Sequence, residues 1–270
     1  MAKSSIKTEL LFACLILAMT SMASAEDPVP AHETFELSSE AVGELRRLNV
    51  WKPPGYDATG AAYPVLYMPD GGIQEDFPHI ANTVAELVAQ QKISPVLLVG
   101  IENTERRRDL TGPSSVEADA QIAPITDGAS RFRQFIRDEL FPEIESRYHV
   151  SDRRAIVGES AAGLFVIETF FLEPTMFERS IAMDPAIYWN DAELVRRAPE
   201  RLRTMDAEGR HLWMATASTE EIAPHVQALA EILRTDAPDA LEWKFVDRPQ
   251  EQHHTIFRAT KEEAFTSTLW

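Results

Sequence analysis

The chain has 270 residues, 44% hydrophobic and 26% charged, the composition of a folded domain rather than of a disordered or polytopic membrane chain. Lys and Arg number 26 against 43 Asp and Glu, a net charge of −17. So large an excess of negative charge argues against nucleic acid or an anionic membrane surface as partner.

Lys3 and Lys7 precede an apolar run from Leu10 to Met19, and Ala23, Ser24 and Ala25 follow it ahead of Glu26. A basic start, an apolar stretch short for a bilayer span and a small-residue cleavage site predict a secretory signal peptide over residues 1–25. The alternative is an uncleaved N-terminal anchor. The expected location is the periplasm or the medium, with no membrane span in the mature chain. Cys14, the single cysteine, lies inside the leader, so disulfides, thiol catalysis and Cys-ligated zinc are not expected. Residues 26–33, with Pro28 and Pro30, read as a tail ahead of one domain over residues 34–270.

Seven short apolar stretches read as strands, at 45–51, 64–68, 96–101, 155–157, 180–183, 211–217 and 241–246. Helical patterns separate them. Ile80, Val84, Leu87 and Val88 form one apolar stripe, and Ile222, Val226, Leu229 and Leu233 form another. Phe132, Ile136, Leu140, Ile144 and Tyr148 recur every fourth residue, with Pro142 set to kink that helix. Strand and helix in alternation predict an α/β fold with a central, mostly parallel sheet flanked by helices. The stretch 102–127 is polar and aperiodic, the mark of a functional loop or of a surface excursion.

The strongest chemical signal is Gly158-Glu159-Ser160-Ala161-Ala162-Gly163, between a strand and an apolar helical run. A serine on a tight strand-to-helix turn is a nucleophile elbow, and the turn demands small residues two places before and after it. Gly158 and Ala162 meet that demand. The nucleophile needs a base, and His253, just past the last strand, is the candidate, with His254 its rival. The acid is expected after the next-to-last strand, which makes Glu220 the first choice, then Glu221, then Asp184. Backbone N–H groups of Ala161 and of the Gly71-Gly72 turn are the expected oxyanion donors, Gly72 being the second of the pair.

Taken in order, 63–71 (YPVLYMPDG), 100–104 (GIENT), 108–111 (RDLT), 158–163 (GESAAG), 184–189 (DPAIYW) and 251–253 (EQH) resemble the putative-esterase (esterase D-like) family of α/β-hydrolases. Within it, the chain looks like the branch of siderophore trilactone esterases, and the match runs over about residues 34–270. The resemblance implies a single α/β-hydrolase domain, Ser160 as nucleophile, His253 as base and the Gly71-Gly72 turn in the oxyanion hole. The chain departs from the family in having His254 where glycine often follows the histidine, and Ala162 for a frequent glycine. The acid varies within the family.

Tyr188 and Trp189 follow a strand end and are candidates for an aromatic wall, or for core. Arg106, Arg107 and Arg108 form the one basic cluster, and Arg106 or Arg108 is expected to meet an anionic part of the substrate, unless the run only pairs with Glu102, Glu105 and Asp109. No metal-ligand spacing and no phosphate loop is present, so no cofactor is expected. The expected function is an exported serine esterase acting on a small-molecule ester, a siderophore trilactone or a similar one. An acyltransferase with the same triad and a non-catalytic binding protein on the same scaffold are the alternatives.

Overall fold

The computed structural model describes residues 27–270, and the expected leader lies outside them. Eight strands form one sheet: β1 (Glu33–Ser39), β2 (Glu44–Trp51), β3 (Tyr63–Pro69), β4 (Leu97–Ile101), β5 (Val150–Glu159), β6 (Arg179–Met183), β7 (His211–Thr216) and β8 (Glu242–Asp247). Their spatial order is β1-β2-β4-β3-β5-β6-β7-β8. β1 pairs antiparallel with β2, and β2 with β4; every other pair is parallel. β3 to β7 read as apolar runs because both of their faces are covered.

One face carries α1 (Phe77–Ala89) and α8 (His253–Thr268). The other carries α3 (Gly128–Gln134), α4 (Phe141–Arg147), α5 (Ala161–Leu172), α6 (Trp189–Thr204) and α7 (Ala223–Asp236). A single turn, α2 (Arg106–Leu110), follows β4. This is the α/β-hydrolase fold expected from the alternation of elements.

Two local features had no sequence expectation. β1 is an edge strand in which only Phe35, Leu37 and Ser39 turn away from solvent, too weak an alternation to stand out. Between α3 and α4 the helix widens into a π turn over Phe135–Leu140. A strict four-residue repeat drifts around an α-helix, and one wider turn realigns it. Phe132, Ile136, Leu140 and Ile144 are all buried as a result. Pro142, which lacks an N–H, sits just past that turn in the first turn of α4.

Residues 27–32 have no regular structure, yet they lie against the body. Asp27 pairs with Arg258 of α8, and Asn82 of α1 donates to the Pro28 carbonyl.

Candidate active site

Three adjacent strands end in residues held at positive φ without being glycine: Asp70 after β3 (57°), Ser160 after β5 (59°) and Asp184 after β6 (41°). Each such residue stores about 1–3 kcal/mol of backbone strain, which surrounding structure must hold in place. Three on neighbouring strand ends mark the carboxyl edge of the sheet as the functional one.

Ser160 caps α5 with φ 59° and ψ −118°. Its N–H donates to the Met183 carbonyl at 3.0 Å, and its own carbonyl accepts from Leu164 at 2.8 Å and Ala186 at 3.0 Å. These bonds fix the elbow from both sides. The demand for a small residue is visible: a Cβ on Gly158 would lie 2.6 Å from the backbone of Ala162. The Ser160 side chain is half-exposed, and its hydroxyl makes no hydrogen bond among the described residues. Catalytic contacts in unliganded enzymes often tighten only with substrate. Ala161, first residue of α5, has an N–H of the kind that finds no partner within a helix.

The register of β5 against β6 aligns Glu159 with Met183, so Ser160 and Asp184 leave the sheet side by side. Asp184 is fully buried. Its Oδ1 accepts from Thr216 Oγ1 and the Ala217 N–H, both at 2.9 Å, and its Oδ2 accepts from Thr219 Oγ1 at 2.7 Å. Nδ1 of His253 completes the set at 2.7 Å from Oδ2. Burial pushes the Asp184 carboxyl up, but the bonds from His253, Ala217, Thr219 and Thr216 outweigh it and hold the group below the usual Asp value. The same bond to Asp184 raises His253, against its own partial burial.

The carboxylate bonded to His253 is therefore Asp184 and not Glu220, the first choice. Glu220 and Glu221 are exposed on the turn into α7 and do not reach the imidazole. The residue of that turn that enters the site is Thr219, and the carboxylate belongs to Asp184, the third choice. The strand that abuts the elbow is β6, so its end, not that of β7, brings a carboxylate to His253. His253 opens α8, where the Gln252 N–H donates to Thr255 Oγ1 at 2.9 Å, while His254 is exposed.

Opposite the elbow, the N–H of Gly72 is engaged by Glu75 Oε2 at 2.7 Å. Asn103 Nδ2 bridges Glu75 Oε1 at 2.8 Å and Asp70 Oδ1 at 2.6 Å. Burial raises Glu75 despite these donors. Arg106 clamps Asp70 with two bonds, Nε to Oδ1 at 2.6 Å and a terminal nitrogen to Oδ2 at 2.7 Å. That clamp holds Arg106 at the end of β3, beside the Gly71-Gly72 turn. Arg108 instead pairs with Glu44 and Asp109, both at 2.7 Å, and serves the scaffold. Trp189 is buried, and its indole N–H donates to the Gly112 carbonyl at 3.0 Å, a tether rather than an aromatic wall. Tyr188 is half-buried beside it. A cavity of about 220 Å³ between α3, α5 and α6, lined by Arg133, Glu168 and Trp189, includes neither Ser160 nor His253.

Asp70, Glu75, Asn103, Thr216 and Thr219 join the site without having been expected there. Polar residues at the carboxyl ends of β3, β4 and β7 were the available signal. Among the described residues, no helix is long and apolar enough to cross a membrane.

The chain thus combines an α/β-hydrolase sheet, a serine elbow after β5 and a histidine bonded to the aspartate after the neighbouring β6. The chain belongs to the Putative esterase family, whose pattern it matches over residues 39–269. It is 30% identical to the ferri-bacillibactin esterase BesA of Bacillus subtilis, the match covering 63% of each chain. It is 34% identical to the siderophore enterobactin esterase of Emericella nidulans over 55% of this chain and 54% of that one. The matched region thus spans less than two thirds of either relative. Among solved structures it resembles an IroE-like serine hydrolase from Shewanella oneidensis, with TM-score 0.81, 27% identity, and 88% and 79% of the two chains covered.

Proposed function

We propose that the protein is a serine hydrolase of carboxylic esters in which Ser160, His253 and Asp184 act as the triad. The observation that carries this is the pairing of a strained serine elbow with a histidine whose Nδ1 is held by a buried, fully bonded aspartate. With Nδ1 taken, Nε2 is the nitrogen left to receive the serine proton. Ser160 Oγ attacks the ester carbonyl as His253 accepts its proton. The oxyanion draws on the Ala161 N–H and on that of Gly72, from which Glu75 must first withdraw. The imidazolium then protonates the leaving alcohol, and water releases the acyl group by the same route.

The family and the two siderophore esterases favour a siderophore ester as substrate, and residues 1–25 favour export with cleavage near Glu26. Labelling by a fluorophosphonate, lost in Ser160→Ala, tests the nucleophile. An unlabelled wild-type protein would instead favour a binding scaffold. Acyl transfer to an added alcohol at the expense of hydrolysis would favour the acyltransferase.

A further inference from the structure

His79, in the first turn of α1, is 3% exposed, and no step of the mechanism above uses it. Its Nε2 lies 3.0 Å from Oδ1 of Asp76, the residue that precedes the helix. A carboxylate only accepts, so Nε2 carries the proton and Nδ1 is left as an acceptor. Nδ1 is met at 3.3 Å by Nζ of Lys261, farther along α8 than His253. The same amine donates to the His79 carbonyl at 3.1 Å. The ring of Phe257, one turn before Lys261, stands edge-on to the imidazole with centroids 5.1 Å apart and helps to fix it.

An amine, an imidazole and a carboxylate in hydrogen-bonded sequence are the parts of an activated nucleophile: the imidazole takes the proton, and the carboxylate orients the imidazole. A neutral amine has two N–H bonds and one lone pair. His79 accepts both N–H bonds, so the lone pair points away from it. Lys261 is half-buried rather than sealed in the core. Burial, and after it the neighbouring Arg258, hold the amine below the ordinary lysine value, against Asp27, Glu262 and Asp76. Lys52 and Lys244 differ: they pair with the carboxylates of Glu33 and Glu263.

We infer that Lys261 is a second acyl-accepting site, a nucleophilic amine with His79 as its base, that takes acyl groups from activated carboxylic esters such as aryl esters. The Nζ lone pair attacks the acyl carbon, and an amide C–N bond forms. The ester C–O bond breaks, and the aryloxide leaves with its electron pair. The Nζ proton passes to Nδ1 of His79 and from there to water. The amide is stable to water, so the site is acylated once. The inference does not depend on Ser160.

4-Nitrophenyl acetate tests it, on the Ser160→Ala protein, so that the proposed nucleophile does not consume the reagent. Acetyl occupancy of each lysine is followed over time at mildly alkaline pH by peptide mass spectrometry. Lys261 should be acetylated at least about tenfold faster than the exposed Lys92, a factor below what a positioned base usually contributes. Equal or slower reaction at Lys261 overturns the inference. In urea above the unfolding midpoint the advantage should vanish; one that survives there belongs to the local sequence and overturns it as well. Asp76→Asn separates the relay from simple charge. Asp76 favours the charged amine, so its removal would leave the rate unchanged or raise it if charge state alone set reactivity. Loss of the orienting carboxylate should instead slow Lys261 by about tenfold and leave Lys92 as it was. A rate unchanged or raised overturns the relay. Should Asp76→Asn not fold, the comparison of Lys261 with Lys92 within one chain decides.

Discussion

The N–H of Gly72 donates to Oε2 of Glu75 at 2.7 Å, so a carboxylate already engages a donor proposed for the oxyanion. In the proposed mechanism Glu75 competes with the transition state for that N–H. Glu75→Gln weakens that competition by removing the charge, and steady-state kcat/KM for a simple aryl ester should rise about threefold to tenfold. A fall of tenfold would mean that Glu75 chiefly orders the Asn103 and Asp70 contacts.

Asp184 as the proposed acid makes a sharp contrast among carboxylates. Ser160→Ala and His253→Ala should each cost on the order of 10³-fold or more in kcat, and Asp184→Asn on the order of 10²–10⁴-fold. Glu220→Ala should stay within about twofold, because its side chain is exposed and touches none of the three. His254→Ala is the matching control for the base. Ester hydrolysis assays on the five variants check the set.

The pH dependence follows from the Asp184–His253 bond. Only neutral imidazole accepts the serine proton, and Asp184 raises His253 above its ordinary value. The acidic limb of kcat/KM should therefore lie above the usual histidine range, with activity growing as pH rises through it. Asp184→Asn removes the charge that raises His253, so the limb should move to lower pH while the plateau drops. A pH–rate profile of both forms measures the shift.

Gly71 leaves no room for a methyl group. A Cβ there would fall 2.3 Å from the Gly100 Cα and from the Ile101 N, both backbone atoms that no rotamer change can move. Gly71→Ala should destabilise the fold by about 3 kcal/mol, read as a lowered urea midpoint at unchanged slope.

Most of the fold was legible because its strands are short apolar runs bounded by turn residues, a pattern independent of distant contacts. The elbow was legible for the same reason: Gly158, Ser160 and Ala162 satisfy a local steric demand. His253 was reachable from chain order. The acid was not, since it depends on which strand lies beside β5, and adjacency in a sheet is a long-range fact. Glu220 and Asp184 both follow strands, and only the pairing of Ser160 with the end of β6 separates them. The split among the arginines was hidden likewise, since Asp70 and Glu44, which claim Arg106 and Arg108, are remote in sequence.

Arg46 on β2 is fully buried against Phe132 and Phe135, and one of its nitrogens meets Asp109 at 2.6 Å and Thr104 at 2.5 Å. Those two partners belong to the aperiodic stretch that follows β4. A segment bolted to the sheet in this way cannot swing aside as a door would. In the proposed mechanism, admission to Ser160 is then a matter of fit through a standing aperture, and turnover should show little dependence on solvent viscosity, since this stretch has no hinge to open and shut in each cycle.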